Sequence, residues 1–169
     1  MATNTPPADH PIERYLGALE SLLRSFLRHS PFKLSFSIQK AVVHPGDPDT
    51  PEYVVDFSGS DADLLVEMNA TLLHAIEHVM LKALRLDDEH FRSIAFDCQD
   101  WRRMRIEELQ LMAQVAAERV IDTGTPFTLN AMSPRERRIV HLALKDQPKV
   151  RTQSEGVGSE RKVVIFPAK

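Results

Sequence analysis

Two groups of residues in this 169-residue sequence combine types and spacing suited to chemistry. Arg137 and His141 lie four apart, which puts them on one face of a helix, with Arg138 adjacent. Arginine offers a planar, permanently charged fork matched to phosphate, and histidine donates to a phosphate oxygen or stacks on a base. Taken alone, the spacing fits an ordinary solvated helix face as well. The second group, His74-Ala75-Ile76-Glu77-His78, fits the H-x-x-E-H pattern of inverzincin metallopeptidases, in which two imidazoles bind zinc and the glutamate acts as general base. Its stretch lies in the middle of an amphipathic helix and Glu118 is only one of several possible third ligands, so a surface or partner-facing cluster is the preferred reading.

The elements that position these residues follow from apolar periodicity. Tyr15, Leu19, Leu22, Leu23, Phe26 and Leu27 recur at helical spacing between Ile12 and His29 and stop before Pro31. Phe32, Leu34, Phe36 and Ile38 alternate with polar residues, as do Tyr53, Val55 and Phe57, which predicts an antiparallel pair joined by the Pro-rich loop His44–Pro51. A short helix over Asp61–Val66, a longer one over Ala70–Leu86, a solvated acidic loop at Asp87-Asp88-Glu89 and a third strand over Ser93–Asp97 come next. Trp101–Asp122 reads as a long helix with Arg102, Arg103 and Arg105 at its start, Ile106, Leu109, Ala113, Ala116 and Val120 inward, and Gly124 as its stop. Trp101 is expected to pack at the junction of two units rather than against a base. Ser133-Pro134-Arg135-Glu136 carries the cap, the first-turn proline and the capping-box glutamate of a helix reaching about Lys145. Lys149–Ser154 and Arg161–Phe166 form a hairpin around Gly156-Val157-Gly158, so the C-terminal unit reads as helix, helix, hairpin.

In that order, the segment from Ser133 to His141, then Val150-Arg151-Thr152-Gln153-Ser154-Glu155-Gly156, then Arg161-Lys162-Val163-Val164-Ile165, closely resembles the C-terminal part of the bacterial Jag (SpoIIIJ-associated) family. That part is a single-stranded nucleic-acid-binding domain named for its Arg-x-x-x-His motif. The resemblance extends upstream through the α+β unit, which is similar to the family's KH domain, and covers about residues 12–167. It implies that Arg137 and His141 bind nucleic acid, with Arg138, Thr152, Ser154 and Arg161 beside them. Two departures stand out. The family's KH domain carries a Gly-x-x-Gly loop that lets backbone amides approach nucleic acid, whereas Val66-Glu67-Met68-Asn69 stands here with a repelling Glu67. Longer family members also have a small domain ahead of the KH unit, which the first eleven residues, read as disordered, cannot replace.

Charge agrees with this division. Residues 1–100 hold 8 basic and 16 acidic side chains, net −8, and residues 101–169 hold 13 and 8, net +5. Only the C-terminal part is drawn to polyanions. No apolar run approaches the roughly 18 residues of a membrane span, and the polar start has no signal-peptide core, so a cytoplasmic protein without membrane insertion is expected. The single cysteine, Cys98, reads as a small buried hydrophobe. No Gly-rich phosphate loop, nucleophile elbow or paired-carboxylate motif is present, so neither catalysis nor a cofactor is expected.

The expected architecture is α+β: a disordered stretch 1–11, a KH-like three-stranded sheet with helices on one face over 12–98, and a small Arg-x-x-x-His domain over 99–169. The expected function is non-catalytic binding of single-stranded RNA or DNA, RNA first, as a post-transcriptional regulator or RNA chaperone. Another KH-domain protein is a further candidate partner. The alternatives are a zinc hydrolase at His74, Glu77 and His78, and a protein-interaction scaffold that has lost nucleic-acid binding.

Overall fold

The structure, a computed structural model, describes residues 12–43, 45, 47–86 and 88–168. The lead-in 1–11 and Asp87 therefore lie outside the described residues. The chain forms two compact units, one of residues 12–41 and 51–101, the other of 42–50 and 102–168. Both mix helices with a three-stranded sheet, which is the α+β class the sequence predicts.

In the first unit, α1 (Glu13–His29) precedes β1 (Leu34–Lys40) and β2 (Tyr53–Gly59), which pair antiparallel. α2 (Ala62–Ala83) and α3 (Asp88–Ser93) follow, and β3 (Ile94–Cys98) adds parallel to β2, giving the order β1-β2-β3. Alternation along β2 buries Tyr53, Val55 and Phe57. Their β3 neighbours Ile94, Phe96 and Cys98 are buried with them, and Leu19, Leu23, Leu65, Leu73 and Met80 of the helices close the same core. Cys98 is fully buried and its thiol is pushed up to about 11, first by burial and then by Asp56, Asp97 and Asp63, so it is the inert apolar side chain the sequence suggests. The loop reading does not hold for Asp88 and Glu89: Asp88–Ser93 is helical. A single turn of helix has too few residues to show a period, and it forms here beside β3.

α2 is two helices joined at a break. Glu67 is extended, and Met68, Asn69 and Ala70 have φ of 49°, 59° and 54°. This is the stretch where the family's glycines are missing, and the chain keeps a left-handed turn without them. The turn is held by burial of Ala70 and by Thr71 Oγ1, which donates to the Met68 carbonyl at 2.6 Å. By length and a mean hydropathy of 1.2, Ala62–Ala83 alone among the described helices could cross a bilayer. The break, together with Leu65, Leu73, Ile76 and Leu81 in the core, explains its apolar character by packing instead.

α4 (Trp101–Thr123), which belongs to the second unit from Arg102 onward, buries all five positions expected to face inward and stops at Gly124, whose φ is 67°. β4 (Phe127–Ala131), α5 (Pro134–Ala143), β5 (Val150–Glu155), a 3-10 turn over Gly158–Glu160 and β6 (Lys162–Pro167) complete it. The sheet order is β4-β6-β5, antiparallel throughout. β4 corrects the helix, helix, hairpin reading. Five residues holding one fully buried side chain, Leu129, give little alternation, and the strand exists because β6 offers it an edge. Val163 and Ile165 of β6 pack with Ile139 and Val140 of α5 and Leu109, Ala113 and Val120 of α4.

A left-handed residue other than glycine costs about 1–2 kcal/mol, part of which glycine gives back as entropy of the unfolded chain. Because the Met68 side chain is 85% exposed and contributes little packing, Met68→Gly is expected to raise stability by about 0.5–1 kcal/mol in urea melts.

Candidate nucleic-acid interface

α5 begins as its sequence requires. Ser133 Oγ accepts from the Glu136 N–H at 3.3 Å and the Glu136 carboxylate accepts from the Ser133 N–H at 2.8 Å, a closed capping box with Pro134 in the first turn. Glu136 also takes Arg105 of α4 at 2.7 Å. Burial alone would raise the Glu136 carboxyl, but the Ser133 N–H and Arg105 outweigh it and hold the group below its usual range. These contacts set the start of the helix, and hence which way Arg137 and His141 face.

His141 is clasped by β5. Its Nδ1 lies 2.6 Å from Thr152 Oγ1 and its Nε2 2.9 Å from Ser154 Oγ. Thr152 and Ser154 are two apart on the strand and so share a face, and α5 brings the imidazole between them. Burial, and then the Arg137 charge, lower the His141 pKa below 6.5, so the ring is neutral at pH 7. A neutral ring donates through one nitrogen and accepts through the other, so one hydroxyl accepts from it and keeps its own O–H for an outside acceptor. Arg137 is half-buried and donates from Nη1 to the Met132 carbonyl at 2.9 Å, one of its five N–H groups. A fixed fork, a hydroxyl donor and a half-exposed imidazole edge form a small site suited to a phosphate and an adjoining base.

The other two expected residues are not part of this clasp. Arg138 is exposed and its Nη1 donates to Asp49 Oδ1 at 2.7 Å. Arg161 is exposed after the 3-10 turn and makes no hydrogen bond or ion pair with the clasp. Sequence reasoning missed Asp47 and Asp49, which lie in the loop between β1 and β2 but belong to the second unit. Asp47, its side chain 2% exposed, takes Arg135 Nη2 through both oxygens at 2.8 and 2.7 Å and stands 3.8 Å from Arg102. Nothing in a Pro-rich loop 88 residues ahead of Arg135 and 55 ahead of Arg102 marks it as the partner of these arginines.

The zinc alternative gains nothing from the geometry. His74 meets the Trp101 ring edge-on at 5.1 Å and His78 meets Phe91 at 6.1 Å, while His74 Nδ1 stands 3.8 Å from Glu77. Among the described residues no three His, Cys, Asp or Glu side chains converge to hold a metal. Trp101, expected at a junction, has this ring contact inside the first unit.

The family model of the Arg-x-x-x-His domain matches residues 107–167. The RNA-binding protein KhpB of Clostridium symbiosum is 28% identical over 114 residues, covering 68% of this chain and 51% of that protein. KhpB of Bacillus subtilis (strain 168) is 29% identical over 110 residues, covering 64% and 53%, and that of Lactiplantibacillus plantarum 26% over 111 residues, covering 66% and 34%. The chain thus spans about half the length of the first two relatives. These matches show the resemblance to the Jag family that the motifs carry.

The clasp has a titration signature. Because the folded pKa of His141 lies below 6.5, the unfolded chain binds more protons in between, so this contribution to stability is full above pH 6.5 and is lost as pH falls through the folded value. In an NMR titration the His141 ring proton is expected to shift with a midpoint below 6.5, and the loss of thermal stability just below pH 6.5 should be smaller in His141→Asn.

Proposed function

Starting from the likeness to the Jag family, we propose that this chain binds single-stranded RNA through the second unit, without catalysis, as a post-transcriptional regulator or RNA chaperone. The observation that carries this reading is the His141 clasp on Thr152 and Ser154 beside Arg137, a preorganised donor set within the segment that matches the Arg-x-x-x-His domain. Arg138 and Arg161 flank it, Arg161 with no ion pair among the described residues. The relatives named as RNA-binding proteins support RNA as the polymer.

The first unit is assigned to protein contacts, as a KH-like scaffold whose loop no longer serves nucleic acid. Glu67 sits in the left-handed turn, and on the sheet Asp56 lies beside Asp97 in parallel register. Burial, and then Asp97 and Asp100, raise the Asp56 pKa, which marks a surface of repelling carboxylates that disfavours phosphate.

Fluorescence anisotropy with a labelled single strand at two salt concentrations tests the reading. A contact with about 3–5 phosphates gives a log-log salt slope of roughly −2 to −4. Arg137→Ala with His141→Ala should weaken binding by about 1–3 kcal/mol with the fold intact, while Glu67→Ala changes it little. Wild-type affinity in the double variant, with loss on changing Val66–Asn69, would transfer the site to the first unit.

Asp49 generates a separate expectation. Its pair with Arg138 is partly exposed, side chains 38% and 58%, and adds at most about 1 kcal/mol to stability. Asp49→Asn frees the guanidinium for a phosphate, so the strand should bind more tightly and the salt slope should steepen by roughly 0.7. The melting temperature should move little.

A further inference from the structure

The second sheet has two faces, and the His141 clasp uses one of them. Residues directly opposite in antiparallel strands share a face. Thr152 opposite Ile165 and Ser154 opposite Val163 lie on the side of His141 and the core. Arg151 opposite Phe166, Gln153 opposite Val164 and Glu155 opposite Lys162 lie on the other side, where Arg151, Gln153 and Glu155 of the edge strand β5 are exposed, Phe166 and Lys162 of the central strand β6 are half-buried and Val164 is buried. There the Arg151 guanidinium stands 4.3 Å from the centroid of the Phe166 ring.

We propose that this outer face is a second nucleotide subsite, in which a base of a single strand stacks on the Arg151 and Phe166 pair while Arg151 and Lys162 meet its phosphates. The proposal rests on the single-strand reading above and extends it to a surface outside the motif. Three observations support it.

The first is charge. Arg102, Arg103, Arg105, Arg135 and Arg138 are all committed to carboxylates, whereas Arg151 and Lys162 have no carboxylate partner among the described residues. Arg151 makes one side-chain hydrogen bond, a long 3.5 Å contact to Gln153. Glu155, the one acid among these paired residues, is four positions from Arg151, about 13 Å at about 3.3 Å per residue, and lies directly opposite Lys162, so Arg151 supplies the unopposed charge beside the stack and Lys162 the charge at the far end of the face.

The second is continuity. In the order β4-β6-β5, β5 is an edge strand. Thr152 on the clasp side and Arg151 on the outer side are successive residues of that edge, so a strand leaving the clasp crosses one backbone to reach the stack.

The third is the ligand chemistry. Every base has a flat face, so a guanidinium over an aromatic ring takes single-stranded nucleic acid without demanding a sequence.

The test compares two labelled oligouridines, about 4 and about 12 nucleotides long, on the full chain, since only the longer one can occupy both subsites. Arg151→Gln with Lys162→Gln is expected to weaken the longer strand about tenfold, to change the shorter by less than about twofold, and to flatten the salt slope of the longer by roughly 1.4. Melting curves confirm that this variant is folded. An unchanged ratio of long-strand to short-strand affinity overturns the proposal. So does an altered sedimentation coefficient with both affinities intact, which would make the face a protein contact. Should Arg137→Ala with His141→Ala leave the short strand bound as before, the motif reading fails, and a tenfold loss of the long strand in Arg151→Gln with Lys162→Gln still upholds the outer face.

Discussion

A carboxylate with 2% of its surface exposed has to be paired, and Asp47 is such a carboxylate. Burial by itself would push its carboxyl up, yet Arg135, the Asp49 N–H and Arg102 together hold it below its usual range. The energy involved is of the kind that punishes removal of one partner, about 3–5 kcal/mol when a buried pair is broken. Asp47 thereby draws the loop 42–50 into the second unit and ties it to arginines of α4 and α5. The helix that carries the motif is fixed at its first turn twice over, through Arg135 to Asp47 and through Glu136 to Arg105.

That arrangement decides which positive charges remain for a ligand. The sequence of the second unit is basic, but most of its arginines on α4 and α5 serve the fold: Arg102, Arg103, Arg105, Arg135 and Arg138 all face carboxylates. Among the described residues, the cations left without a carboxylate include Arg137 at the clasp and Arg151, Arg161 and Lys162 on and around the hairpin. Net charge therefore overstates the binding surface in extent and misplaces it, because Arg102, Arg103 and Arg105 at the start of α4 are already paired with carboxylates of the same unit.

Neutral His141 is a consequence of the same economy. Its two ring nitrogens are held by Thr152 and Ser154, and burial of the ring, then the positive charge of nearby Arg137, disfavour the proton that would charge it. The imidazole acts as a spacer that orients two hydroxyls and keeps the strand and the helix in register. The charge offered to phosphate comes from Arg137, whose guanidinium stays protonated at any physiological pH.

What the sequence determined by itself is local. The Ser133 to Glu136 capping box, the inward stripe of α4, the Gly124 stop, the alternation of β1, β2 and β3, and the pairing of Arg137 with His141 four residues on are all set by neighbours within a turn or two, where backbone geometry alone decides who meets whom. The division of α2 at Val66 was legible too, although its left-handed turn through Met68, Asn69 and Ala70 needs tertiary burial of Ala70 to offset its strain. Tertiary structure alone decided the rest. β4 exists because β6 supplies an edge, Asp47 and Asp49 reach α5 from almost ninety residues upstream, and Thr152 and Ser154 become one clasp with His141 only when the strand is laid against the helix. Such pairings depend on chain closure over long separations, and no spacing of residues along the sequence records them.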